Sequence, residues 1–246
     1  MSWSETRSPH FFARHAEADG EAVVSVLELL EGTRERLAGL LPAVPGELDV
    51  VFHPASAQLD LAHPVVPLLR VLTAPSARRY LGGWFTRREL HVLAPGALAA
   101  RASNVPGSRE MLALTPVALY AQLAVGLCNP ALPPPLRPWR HAGRAWLSAG
   151  AGQWLAGQTP HARPAIARRL REGGEPSFPP GLRDALLLGG SVLDLLAREE
   201  GEGAAARLAV EPPGDMRSTL ERAFRGRSLT HTQGAWRAHL ARLASA

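Results

Sequence analysis

Histidine, glutamate and cysteine are the side chains best able to bind a metal or serve as nucleophile, and in this chain their spacing favours neither. The nine histidines stand at positions 10, 15, 53, 63, 91, 141, 161, 231 and 239. No two are four residues apart, so no helix can present the paired imidazoles of a His-Glu-x-x-His zinc site, whose Glu acts as general base. Histidines distant in sequence could still meet in the fold. His141 could face a cleft, but a solvent-facing or hydrogen-bonded role is the expectation for a lone histidine. The single cysteine, Cys128, sits in the apolar run "LAVGLCNPAL" and reads as a small buried hydrophobe, with no cationic neighbour in sequence to activate it.

The remaining chemistry is narrowed by composition. All 27 basic residues are arginine, which excludes a Schiff-base lysine, a phosphate-loop lysine and a Ser-Lys dyad. No Gly-x-Ser-x-Gly elbow occurs. Asp184, Asp194, Glu199 and Glu200 fall on one expected helix with Arg183 and Arg198, the pattern of a salt-bridged solvated face. The net charge of +5 is modest for a nucleic-acid binder. Arg163, Arg168, Arg169 and Arg171, then Arg222, Arg225 and Arg227, form basic runs that Glu172, Glu175 and Glu221 dilute.

The elements that would position any site follow from the hydrophobic pattern. "HFFARHA" (10–16) and "ELDVVFHP" (47–54) have the look of strands, the second stopped by Pro54. "EAVVSVLELLEGTRERLAGLL" (21–41) places Val23, Val26, Leu27, Leu30 and Leu37 on related faces of a helix. "GGWFTRRELHVLAP" (82–95) reads as one or two strands with a turn at "TRRE". Short helices are expected around 61–71, 75–80 and 96–102. From residue 108 strand signals nearly vanish. "SREMLALTPVALYAQLAVGL" reads as one long apolar helix with Ser108 as N-cap. Further helices are expected at 139–157, 161–172, 180–200, 202–209, 215–225 and 232–244. No charge falls between Glu110 and Arg137, but Pro116, Tyr120 and Gln122 interrupt this run, and a helix buried in protein is the better reading than a membrane span. A polar N-terminus and one cysteine fit a cytoplasmic protein.

One stretch gives these pieces a common frame. "AWLSAGAGQWLAG" (145–157) has a Trp-Leu-Ser opening, two small residues, then an aromatic and a closing Gly. It resembles the third motif of the gluzincin metallopeptidases, the peptidase MA-like group related to thermolysin and the M1 aminopeptidases. The order of strands and helices over about residues 10–245 resembles that family too. The resemblance implies an α+β, thermolysin-like two-lobed fold in a single domain, 1–246. Its mixed α/β lobe would cover 9–107 and its helical lobe 108–246. It also implies that zinc would be held by a His pair on the helix "ALTPVALYAQL" and a Glu on the next.

The chain departs from the family at each of these positions. Thr115 and Leu119 match the two His positions, Pro116 the general base and Ala149 the Glu ligand. No His or Glu occurs from Met111 to Trp139. Zinc is therefore expected to be absent, with no other cofactor implied. Tyr120, Gln122, Ser148 and Gln153 could line a residual cleft. The stronger expectation is a closed interior in which Tyr120 and Gln153 satisfy backbone groups. Trp146, Leu147, Gly150 and Trp154 would be packing residues. The leading functional expectation is an inactive, pseudopeptidase-like module that binds a protein or peptide partner. The alternatives are a hydrolase with a non-standard site, and an arginine-rich binder of nucleic acid or an acidic partner.

Overall fold

The computed structural model describes residues 2–132, 143–211 and 214–245. Its five strands all precede residue 94: β1 (Trp3–Arg7), β2 (Phe11–Ala16), β3 (Leu48–His53), β4 (Gly83–Phe85) and β5 (Glu89–Leu93). They form one sheet in the order β1-β2-β3-β5-β4. The central three run parallel, and both edge strands are antiparallel to their neighbours. One face carries Phe11, Ala13, Val50, Phe52, Leu90 and Val92, each at most 2% exposed. Alternate residues, among them Arg14, Val51, Glu89 and His91, turn to the other face.

The strand β1 was not expected. "WSETR" is polar, and its residues are exposed or half-buried, so it lacks the apolar alternation by which a strand is recognised. Backbone pairing with β2 and the edge position explain it. Most other expected elements recur with shifted ends, but the helix expected at 61–71 is two, Ser56–Ala62 and Val65–Leu72, and that at 75–80 is a single turn, Arg78–Tyr80. Helix α1 (Gly20–Ala38) buries Val23, Leu27, Leu30 and Leu37 and crosses from β2 to β3. Two helices, α2 (Ser56–Ala62) and α3 (Val65–Leu72), lead from β3 toward β4, and α4 (Pro95–Ala100) follows β5.

The long helix expected from residue 108 is two: α5 (Ser108–Ala113) and α6 (Thr115–Cys128), divided at Leu114. Pro116 explains the break, because it has no N–H to give and its ring crowds the preceding turn. Ser108 is not the cap either. Gly107, at φ +82°, holds that position. The Ser108 hydroxyl instead accepts the Ser103 N–H and sits 3.4 Å from the Tyr80 hydroxyl that donates to it.

The rest of the described chain is helical: α7 (Ala145–Leu155), α8 (Arg163–Arg171), α9 (Leu182–Glu200), α10 (Glu202–Val210), α11 (Met216–Ala223) and α12 (Leu229–Ser245). The first part of the 139–157 helix, with His141, lies outside the described residues. Helix α6 is buried on almost every side and packs on α1, α7, α10 and the sheet. Among the described residues, no helix is long and apolar enough to cross a membrane. The architecture is α+β.

Two devices fix α7 against α9. The first is backbone contact: a methyl group on Gly150 would lie 2.4 Å from the Gly189 carbonyl carbon, and one on Gly189 would lie 2.4 Å from the Trp146 carbonyl oxygen. The second is Gln153, whose Oε1 accepts the Gly190 N–H at 2.9 Å. A buried ion pair then joins α8 to α9. Arg169 grips Asp184 with two hydrogen bonds, at 2.5 and 2.9 Å, and also donates to the carbonyls of Gly173 and Gly174.

Candidate functional site

A cavity of about 130 Å³ lies where the sheet edge meets α6 and α7. Its floor includes Thr115 and Leu119, one turn apart on α6, and its wall on α7 includes Ser148 and Ala149. The sheet-side wall is β4 with Leu81 and Gly82 before it, and Leu69 and Thr73 from the end of α3 stand beside them. Gly83 allows the close approach: a methyl there would come within 2.5 Å of Leu119 Cδ1 and 2.7 Å of the His91 carbonyl oxygen.

The residues singled out from sequence divide by face. Thr115, Leu119 and Ala149 converge on this cavity, as do Gln122, Ser148 and Gln153. Pro116 is buried but is not part of the lining. Tyr120 is elsewhere. Its ring is fully buried edge-on against Phe11, 5.3 Å between centroids, and its hydroxyl has no partner among the described residues. Burial pushes that hydroxyl up to about 12. Gln153 combines both expectations, since it lines the cavity and also satisfies the backbone of α9 at Gly190 and Leu187. Trp146 and Leu147 are fully buried packing residues, while Trp154 is half-buried.

The cavity is mostly apolar. Thr115 Oγ1 is a buried hydroxyl without a hydrogen-bond partner among the described residues. Gln158, which sequence reading passed over, also lines the space, and its side-chain amide donates to the Met111 carbonyl at 2.7 Å. A threonine hydroxyl, leucine methyls and an alanine methyl do not make a zinc-binding set, because zinc takes imidazole, thiolate or carboxylate donors. Thr115, Leu119 and Ala149 do not fit that metal. Among the described residues, no group of three or more His, Cys, Asp or Glu is arranged to hold one.

The sheet edge supplies the polar groups instead. Leu93 N–H donates to the Gly82 carbonyl, and Thr86 N–H donates to the Glu89 carbonyl. In an antiparallel ladder the bonded residues alternate, so Gly82, Trp84 and Thr86 turn their backbone toward β5. Gly83 and Phe85 then turn theirs away from β5, on the edge of the sheet that no other described strand pairs, and both are buried and line the cavity. The two strands and the turn at "TRRE" are those expected over 82–95, while the edge position of "GWF" follows only from the strand order.

Other candidate chemistry is absorbed by structure. Asp184 is held by Arg169, Glu199 by Arg227 and Glu200 by Arg225. Asp194 faces both Arg198 and the buried His239. Burial works against its charge, but these hydrogen bonds outweigh it and its pKa is lowered. In the arginine runs, Arg168 and Arg222 also meet carboxylates, Glu172 and Glu211. Cys128 is half-buried rather than buried, with Sγ 3.2 Å from the Ala43 carbonyl oxygen. No family model, curated protein or solved structure matches this chain.

Proposed function

We propose that this chain is a pseudopeptidase-like binding module of gluzincin type, with two lobes, that takes an extended, apolar peptide segment into the cleft between β4 and the α6–α7 pair. The observation that carries the reading is the edge of β4 at Gly83 and Phe85, paired by no other described strand and set into a cavity whose floor is Thr115 and Leu119. A peptide laid along that edge would gain main-chain hydrogen bonds, and its alternate side chains would enter the apolar space. The convergence of Thr115, Leu119 and Ala149 on one cavity supports the gluzincin reading, since these are the positions matched to the family's three ligands.

The test uses a mixture of apolar decapeptides and their backbone N-methylated counterparts, with binding followed by amide chemical-shift changes. Expected is saturable perturbation around Gly83, Phe85 and Ser148, lost on N-methylation and in an Ala149→Trp variant that fills the cleft. Perturbation elsewhere, or none, overturns the binding mode. Stoichiometric zinc in purified protein together with peptide cleavage overturns the inactive reading.

A further inference from the structure

Three imidazoles remote in sequence meet on the sheet face opposite the main core. His53 ends β3, His91 lies in β5, and His63 follows the last turn of α2. His53 Nε2 and His91 Nδ1 are 3.2 Å apart, with the rings stacked. The His63 ring meets His91 edge-on, 4.1 Å between centroids, and its buried Nε2 has no hydrogen-bond partner among the described residues. On its other side His91 Nε2 lies 3.2 Å from Glu89 Oε2.

These contacts define what the cluster tolerates. With neutral rings, His91 donates to Glu89 and accepts from His53. One proton added to the His53–His91 pair is accommodated, because one ring can then donate to the other, which turns its bare nitrogen toward it. A second proton on that pair is not, because two N–H groups would then face each other across 3.2 Å. Burial first, and the neighbouring His91 second, hold both His53 and His63 below the usual histidine range, His53 at about 4.

The other charges packed around the cluster do not relieve it. Arg14 on β2 approaches Glu89 at 3.9 Å and competes for it. Asp60 on α2 is paired with Arg70 on α3, which ties those helices to each other rather than to the sheet. Arg101 lies behind them and donates to Ser56.

The cluster also sits at a lightly held place. Within α2 and α3 only Leu59 and Val66 are buried, while Leu61, Leu68, Val71 and Leu72 are exposed. The end of α3 supplies Leu69 and Thr73 to the cleft wall, and Trp84 of β4 lies opposite His91 and 6.5 Å from the His63 ring. Segments with few buried contacts open at low cost. We propose that His53, His63 and His91 form a proton-operated latch: neutral, they pack α2–α3 onto the sheet, and a second proton releases that segment and the cleft wall it carries. This assigns a regulation to the binding cleft and rests on that reading.

Hydrogen exchange of the full chain without any peptide, at about pH 7.5 and about pH 5 and corrected for intrinsic rates, tests the latch. Expected is a loss of protection over residues 56–73 that exceeds any loss in α9 by about tenfold or more. A His53→Gln/His63→Gln/His91→Gln variant should lose the response, and Asp60→Asn should keep it. Unchanged protection, equal loss in α9, or a response abolished by Asp60→Asn overturns the latch. If the triple variant does not fold, imidazole titration of the unaltered protein decides. A ring titrating below about pH 5 in step with opening supports the latch, and three rings near 6.5 overturn it. Because no peptide is present, this result is independent of whether the cleft binds one.

Discussion

Gln153 is a buried amide that lines the cleft and also closes a gap in the backbone of α9. Replacing it with Leu would leave the Gly190 N–H without its acceptor in a site closed to water. The expected loss of stability is about 1–3 kcal/mol, read from the urea midpoint. A second residue-scale prediction concerns the proposed gluzincin reading of the cleft. In a Thr115→His/Leu119→His/Ala149→Glu variant the three new donors would face one cavity, so one equivalent of zinc is expected by elemental analysis, against none in the unaltered protein. No uptake by the variant would argue against the matched positions. At this scale the sequence was half legible. Thr115, Leu119 and Ala149, singled out by resemblance to a motif, do line one cavity. Tyr120 does not, because one residue of phase on a helix turns a side chain by about 100° and here sends it to the opposite face. The histidine cluster was hidden for a different reason: positions 53, 63 and 91 have no periodic relation, and only the parallel pairing of β3 with β5 brings two of them together.

Among the elements, α7, α8 and α9 hold one another by means that small changes should break. Gly189→Ala puts a methyl group 2.4 Å from a backbone carbonyl, which no rotamer can avoid, and should cost about 3 kcal/mol or more by thermal or urea unfolding. Arg169→Ala strands Asp184 in a site where both side chains are under 10% exposed, with an expected cost of about 3–5 kcal/mol. The double change Arg169→Met/Asp184→Leu should recover most of it, because the penalty comes from the uncompensated charge rather than from the loss of a pair. Helix existence was legible for α1 and α9, which show their buried faces plainly, but not for α2, most of which precedes the helix expected at 61–71. The break at Leu114 was signalled by Pro116 but overridden by the apolar run around it. The polar β1 left no trace in hydropathy, because its stability comes from pairing and not from burial.

For the whole molecule, the buried histidines set a pH dependence with a definite sign. His53 is near 4 in the folded state against 6.5 for a free imidazole. Above 6.5 both states leave it neutral and it contributes no slope. Between 6.5 and about 4 the unfolded chain takes the proton and the folded chain does not, so stability falls as pH falls. The lowered Asp194 acts in the same direction but at more acid pH, where the unfolded carboxyl begins to protonate. Urea midpoints measured from about pH 7.5 to about pH 4.5 should decline, and the decline should flatten in His53→Gln. An unchanged slope in that variant would assign the effect to other groups.

The glycine seam between α7 and α9 has a consequence for how the cleft can change shape. Helices in backbone contact have no side-chain layer to rearrange, so neither can tilt without the other. The wall built on α7 is therefore a fixed jaw. Any widening must come from the opposite side, where α3 and the short β4 rest on a sheet edge, and the molecule would work as a vice with one moving face rather than as a hinge.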